Sequence, residues 1–104
     1  MKIKLSPQGN RQDRLESLEV QGDILKVNGT EYDLSVIPEG ATLENASEAT
    51  GNKLFAGNIE NKDGEYHVTL FLPFYSLSQA REVLFPEEIN TTEGIVNLPK
   101  VRYD

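Results

Sequence analysis

The sequence predicts an all-β fold: one domain over residues 1–104, with seven or eight short, mainly antiparallel strands arranged as a sandwich or a partly open barrel, and at most one short helical turn. Three observations predict it. Apolar and polar residues alternate at period two through several short runs, the spacing that gives a strand one apolar face. The turn-forming pairs Gly22-Asp23, Asn28-Gly29 and Asp63-Gly64 separate those runs. A chain of 104 residues, more than a quarter of them Leu, Ile, Val or Phe, is long enough for one small core and too short to divide into two.

Ile3 and Leu5 alternate with Lys2 and Lys4, and this short first strand is expected to be stopped by Ser6-Pro7-Gln8-Gly9-Asn10, because Pro lacks the ladder donor and Gly relaxes the backbone. Residues 15–21, with Leu18 and Val20 on one side of Glu19, lead through Gly22-Asp23 into residues 24–27 as a hairpin. Asn28-Gly29 suits the left-handed dihedrals of a type I′ turn. The strand that follows, residues 30–36, alternates with Tyr32, Leu34 and Val36 on one face. Residues 38–53 carry one large apolar side chain, Leu43, and are expected to resolve into a brief strand around 41–44 or a helical turn across 46–50.

Residues 54–59 and 66–72 flank an Asp-Gly reversal and read as another hairpin. In its second arm Tyr66, Val68, Leu70 and Leu72 share one face while His67, Thr69 and Phe71 share the other. Apolar character on both sides marks this as a central strand. Residues 76–82 have mixed helical and loop character. Residues 83–85 and 88–92 read as a strand pair or as one strand bent at Pro86, residues 94–98 as a last strand, and residues 99–104 as a fraying tail.

The composition removes much chemistry. Without cysteine there is no disulfide framework, thiol nucleophile or thiolate metal site, and a single histidine, His67, rules out any site needing two within one chain. A net charge of −7, spread along the chain with no basic stripe, repels phosphate backbones, so no nucleic-acid partner is expected. Glu31, Asp33, Glu39, Glu44 and Glu48 fall in an interval with no basic residue and read as a solvated acidic face. No apolar run is long enough for a membrane span or a signal peptide, so expression in the bacterial cytoplasm is expected. Residues 61–65 only superficially resemble a calcium loop, and no glycine-rich phosphate loop occurs. No metal, cofactor or catalytic residue is therefore assigned, and an enzyme built on carboxylates or on His67 is the least favoured reading.

Recognition by surface contact remains. Pro73-Phe74-Tyr75 places two aromatics beyond the end of a core strand, and with Tyr66 they form the candidate interaction set Tyr66, Phe74 and Tyr75, although core packing also suits Phe74. Residues 2–7, 20–29, 37–43, 64–73 and 84–87 together resemble a group of small proteins encoded by tailed bacteriophages and prophages, over most of the chain. The resemblance implies the tail or tail-fibre gene region, and hence a non-enzymatic structural or assembly protein that contacts a tail or fibre component or a second copy, and that can end in the virion. The alternative is a small ligand-binding module, for instance for carbohydrate, using the same aromatics as a stacking platform.

Overall fold

The structure, a computed structural model, describes residues 1–75 and 79–102. Nine strands form two sheets among those residues. One is mixed, with β1 (Lys2–Gln8), β5 (Thr42–Leu43), β6 (Ile59–Lys62), β7 (Glu65–Pro73) and β8 (Ile89–Asn90) in the order β5-β6-β7-β1-β8. The other is antiparallel, with β2 (Leu18–Gln21), β3 (Ile24–Val27), β4 (Thr30–Asp33) and β9 (Glu93–Val96) in the order β4-β3-β2-β9. Neither sheet closes into a barrel. Alternation supplies the shared core: Ile3, Leu5, Ile59, Val68, Leu70 and Leu72 from the first sheet join Leu18, Val20, Leu25 and Val27 from the second in one continuous cluster.

The predicted all-β class holds, and β7 is the central strand of its sheet, as its two-sided pattern requires. Its partner β1 runs parallel to it, from Lys2↔His67 to Gln8↔Pro73. A parallel pair needs a long crossover, and here β2, β3 and β4 are built within it as the second layer. Asn28 (φ 50°) and Gly29 (φ 85°), and likewise Asp63 (φ 55°) and Gly64 (φ 74°), adopt the left-handed conformations of the predicted tight reversals.

Several boundaries differ from expectation, each for a local reason. The first strand runs on through Pro7 and ends at Gln8, at the Gly9-Asn10 end of the segment expected to stop it. The Gln8 carbonyl accepts from Phe74 N at 2.9 Å, so alternation turns the missing Pro7 donor away from β7, where β8 does not reach because it pairs only with Lys2 and Ile3. The expected strand over 30–36 ends at Asp33, whose carboxylate accepts from Ser35 N (3.0 Å) and Oγ (2.6 Å) and starts a 3₁₀ turn over Leu34–Val36. That turn leaves Val36 76% exposed.

The interval 38–53 holds both β5 and a one-turn helix, α1 (Ala46–Thr50). Residues 54–59 are not one strand: Phe55 bridges Leu70, the chain leaves the ladder at Gly57 (φ 65°), and β6 begins at Ile59. The excursion lets Gly57 O and Asn58 Oδ1 accept from Ala46 N (2.8 Å) and Asn45 N (3.0 Å), which holds the start of α1.

Residues 83–85 are not a strand either. Val83 and Leu84 belong to a second one-turn helix, α2 (Arg81–Leu84), so two short helices and a 3₁₀ turn replace the single helical turn expected. Residues 76–78 of the stretch read as mixed helix and loop, and residues 103–104 of the expected tail, lie outside the described residues. Up to Arg102 that tail does not fray: the Gln79 side chain donates to Arg102 O (2.7 Å) and accepts from Arg102 N (2.8 Å), as a neighbouring strand would.

Arg11 fastens the loop after β1 to the outer face of β7. Its guanidinium lies 4.7 Å from the centre of the Phe71 ring, donates to Lys53 O at 3.2 Å, and grips both carboxylate oxygens of Asp13. That contact holds the Asp13 carboxyl below the usual carboxylate range. Arg11→Ala is expected to cost about 1 kcal/mol by chemical denaturation. A carboxyl with a lowered folded-state pKa stabilises above its unfolded value and loses that contribution as pH falls through the folded one, so the Arg11→Ala difference should shrink as pH falls below the ordinary Asp range. An Arg11→Ala difference that stays constant with pH would remove the ion pair from this account.

Candidate interaction surface

The three predicted interaction residues do not come together. Tyr66 is the second residue of β7 and Tyr75 follows its end, a separation of about 30 Å at the rise of a strand. Tyr66 is half-buried against the core, and its partial burial, with the charges of Asp23, Asp33 and Glu39, pushes its hydroxyl above the ordinary phenol range. Phe74 is 7% exposed and is a core residue packed over Gly9. Tyr75 is 59% exposed beside Arg11, Gln12 and Arg14.

His67 lies on the outer face of the mixed sheet, in a shallow polar hollow of about 160 Å³ with Lys2, Lys4, Thr69, Glu60 and Glu88. A general base there would need an orienting partner, and none of the described residues hydrogen-bonds the ring. Among the described residues no three His, Asp or Glu side chains gather closely enough to hold a metal ion, and no helix is long and apolar enough to cross a membrane. The acidic interval is put to local use: Glu39 accepts from Gly64 N at 3.0 Å and Glu48 from Asn45 Nδ2 at 2.8 Å, so these carboxylates secure turns.

Two exposed large apolar side chains, Phe85 and Ile95, lie elsewhere, near where the chain passes between sheets. Thr91 exchanges two hydrogen bonds with Met1 (Met1 N to Thr91 O 2.8 Å, Thr91 N to Met1 O 3.1 Å), which extends β8 along the mixed sheet. One residue later Thr92 O accepts from Gly22 N at 3.3 Å, and β9 continues as the edge of the antiparallel sheet. Residues 97–99 then form a ridge between two clefts.

One cleft, about 480 Å³, lies towards α2 and is walled by Leu5, Arg81, Phe85, Ile89 and Leu98. The other, about 620 Å³, lies towards residues 14–17 and is walled by Arg14, Leu15, Ile95, Leu98 and Lys100. Val83, fully buried, roots α2 in the core, while Phe85 immediately after it is 71% exposed with the Arg81 guanidinium 5.7 Å from its ring centre. Ile95 is 79% exposed. Large apolar side chains beside clefts with a charged rim are the usual composition of a protein contact, because each gains from losing water while the rim stays solvated.

Neither Phe85 nor Ile95 stands out in the sequence. Both fall in runs that read as strands, where an apolar residue is expected to face inward, and the helical turn at 81–84 that turns Phe85 outward carries no side-chain cap to announce it. No family model, no curated protein and no solved structure matches the chain.

Proposed function

We propose that the protein is a non-enzymatic structural or assembly component that works through protein–protein contacts, in the bacteriophage tail or tail-fibre setting its sequence resemblance implies. The observation that carries this reading is the Phe85 cleft. A one-turn helix anchored by Val83 holds a phenyl ring in solvent beside a cleft in which Leu5, Ile89 and Leu98 lie among the charged side chains of Arg81, Glu82 and Glu88. Burying that ring against a partner is worth about 2 kcal/mol. That no described residue hydrogen-bonds the His67 ring, although Glu60 and Glu88 line the same hollow, supports a binding role over a hydrolytic one. The carbohydrate reading has less support, because Phe74 belongs to the core and Tyr66 and Tyr75 are at opposite ends of β7.

The test is affinity co-purification of a tagged chain from the native bacterium after prophage induction, with partners identified by mass spectrometry. A tail or fibre component should be enriched with the wild-type chain and lost with Phe85→Asp. Recovery of the chain alone, or a partner that Phe85→Asp retains equally well, would contradict the proposal.

A further inference from the structure

We propose that β9 pairs antiparallel with β9 of a second copy, about a two-fold axis at Ile95, to join two antiparallel sheets into one. This rests on the reading of the protein as one that works through protein contacts, and it assigns a second contact separate from the Phe85 cleft.

The hydrogen-bond direction of β9 singles out the pairing point. Because Thr92 O accepts from Gly22 N, alternation turns the main-chain groups of Thr92, Gly94 and Val96 towards β2, and those of Glu93, Ile95 and Asn97 towards the open edge. Two devices close most of that edge. The Thr91 hydroxyl accepts from Glu93 N at 3.3 Å and donates to Glu93 O at 3.0 Å, which occupies the first outward pair. Pro99, the next outward residue after Asn97, has no N–H to offer. Between them the window is centred on Ile95, whose side chain is also the most exposed of the large apolar ones among the described residues.

The window is self-complementary. A two-fold axis at Ile95 lets the two Ile95 residues exchange both N–H···O bonds and sets their side chains against each other across the strands, which covers the apolar surface that each chain leaves in water. In the same register Glu93 of one chain comes opposite Asn97 of the other, a neutral residue, so no like charges stand directly across the two strands. The contact is small and each chain carries −7, so dimers form weakly, at high concentration, and more readily as salt screens the mutual repulsion.

The experiment is sedimentation equilibrium of the full chain over a concentration series at low and high salt, with Ile95→Lys, and oxidative cross-linking of Ile95→Cys. The chain has no cysteine of its own, and hydrogen-bonded cross-strand Cα atoms about 5.5 Å apart lie within disulfide reach. Expected are a concentration-dependent dimer that strengthens with salt, its loss in Ile95→Lys, and disulfide dimers from Ile95→Cys at least ten times faster than from Glu31→Cys on the opposite edge strand. A monomer at every concentration and salt, a dimer that Ile95→Lys leaves intact, or equal cross-linking from Glu31→Cys would overturn the pairing. A monomeric chain that still captures a tail component through Phe85 overturns the pairing alone. A dimer that captures nothing overturns the assembly reading alone.

Discussion

Phe55→Ala is expected to lower the unfolding free energy by about 4 kcal/mol, the largest effect of any single truncation considered. The ring is 1% exposed and meets Tyr32 edge-on, with centroids 5.0 Å apart and planes at 82°. Tyr32 is on β4, the edge of one sheet, and Phe55 bridges Leu70 at the centre of the other, so one side chain spans the two layers. Asn52 fixes the approach: its side chain donates to the Tyr32 hydroxyl at 2.9 Å and accepts from Leu54 N at 2.9 Å. Truncation loses the transfer energy of the ring, leaves a void between sheets, and deprives Tyr32 of its aromatic partner. Urea unfolding measures this, with Val36→Ala, on a highly exposed side chain, as a control within about 0.5 kcal/mol of wild type. A Phe55→Ala cost below about 1 kcal/mol would mean that the two layers do not depend on this contact.

Asn28→Ala is expected to cost about 2 kcal/mol, from two sources that a second substitution separates. One is the left-handed backbone of Asn28, which Ala adopts poorly. The other is its side chain, which accepts from Glu16 N (2.7 Å) and Ser17 N (3.1 Å) and donates to Arg14 O (2.8 Å), so that a hairpin turn anchors the irregular run before β2. Asn28→Gly removes the backbone strain and keeps only the loss of these bonds, so it should recover about half of the stability. The same run walls the cleft beside β9, so the turn also shapes the proposed contact with a second copy. If Asn28→Gly matched wild type, the side-chain anchor would carry no weight.

Asn28 shows what the sequence makes legible and what it leaves hidden. Its pairing with Gly29 announces a reversal because the left-handed conformation is a local requirement, but its three bonds reach 11 to 14 residues back and leave no local pattern. The central position of β7 is legible for the same kind of reason, since alternation with apolar residues on both faces needs cover on both sides. Its parallel pairing with β1 is not, because alternation specifies faces and says nothing of direction.

The misplaced strand ends at Pro7 and over residues 30–36 have separate causes: the missing Pro7 donor points away from β7, and the Asp33 carboxylate captures Ser35 N and starts a 3₁₀ turn. The candidate surface is the least legible part. Tyr66, Phe74 and Tyr75 attract notice as aromatics near a strand end, yet exposure is decided by packing, and packing draws Phe74 into the core while α2 turns Phe85 out of it.

The central claim is that the protein acts by burying the Phe85 face against a partner. Its most direct test is a binding titration of whatever protein co-purifies with the tagged chain against the purified wild-type chain, Phe85→Asp and Tyr75→Ala, each first shown to unfold at the wild-type denaturant midpoint. The account predicts a loss of at least tenfold in affinity for Phe85→Asp, as burial of about 2 kcal/mol requires, and no change for Tyr75→Ala. Undiminished binding by Phe85→Asp, or loss confined to Tyr75→Ala, would contradict it.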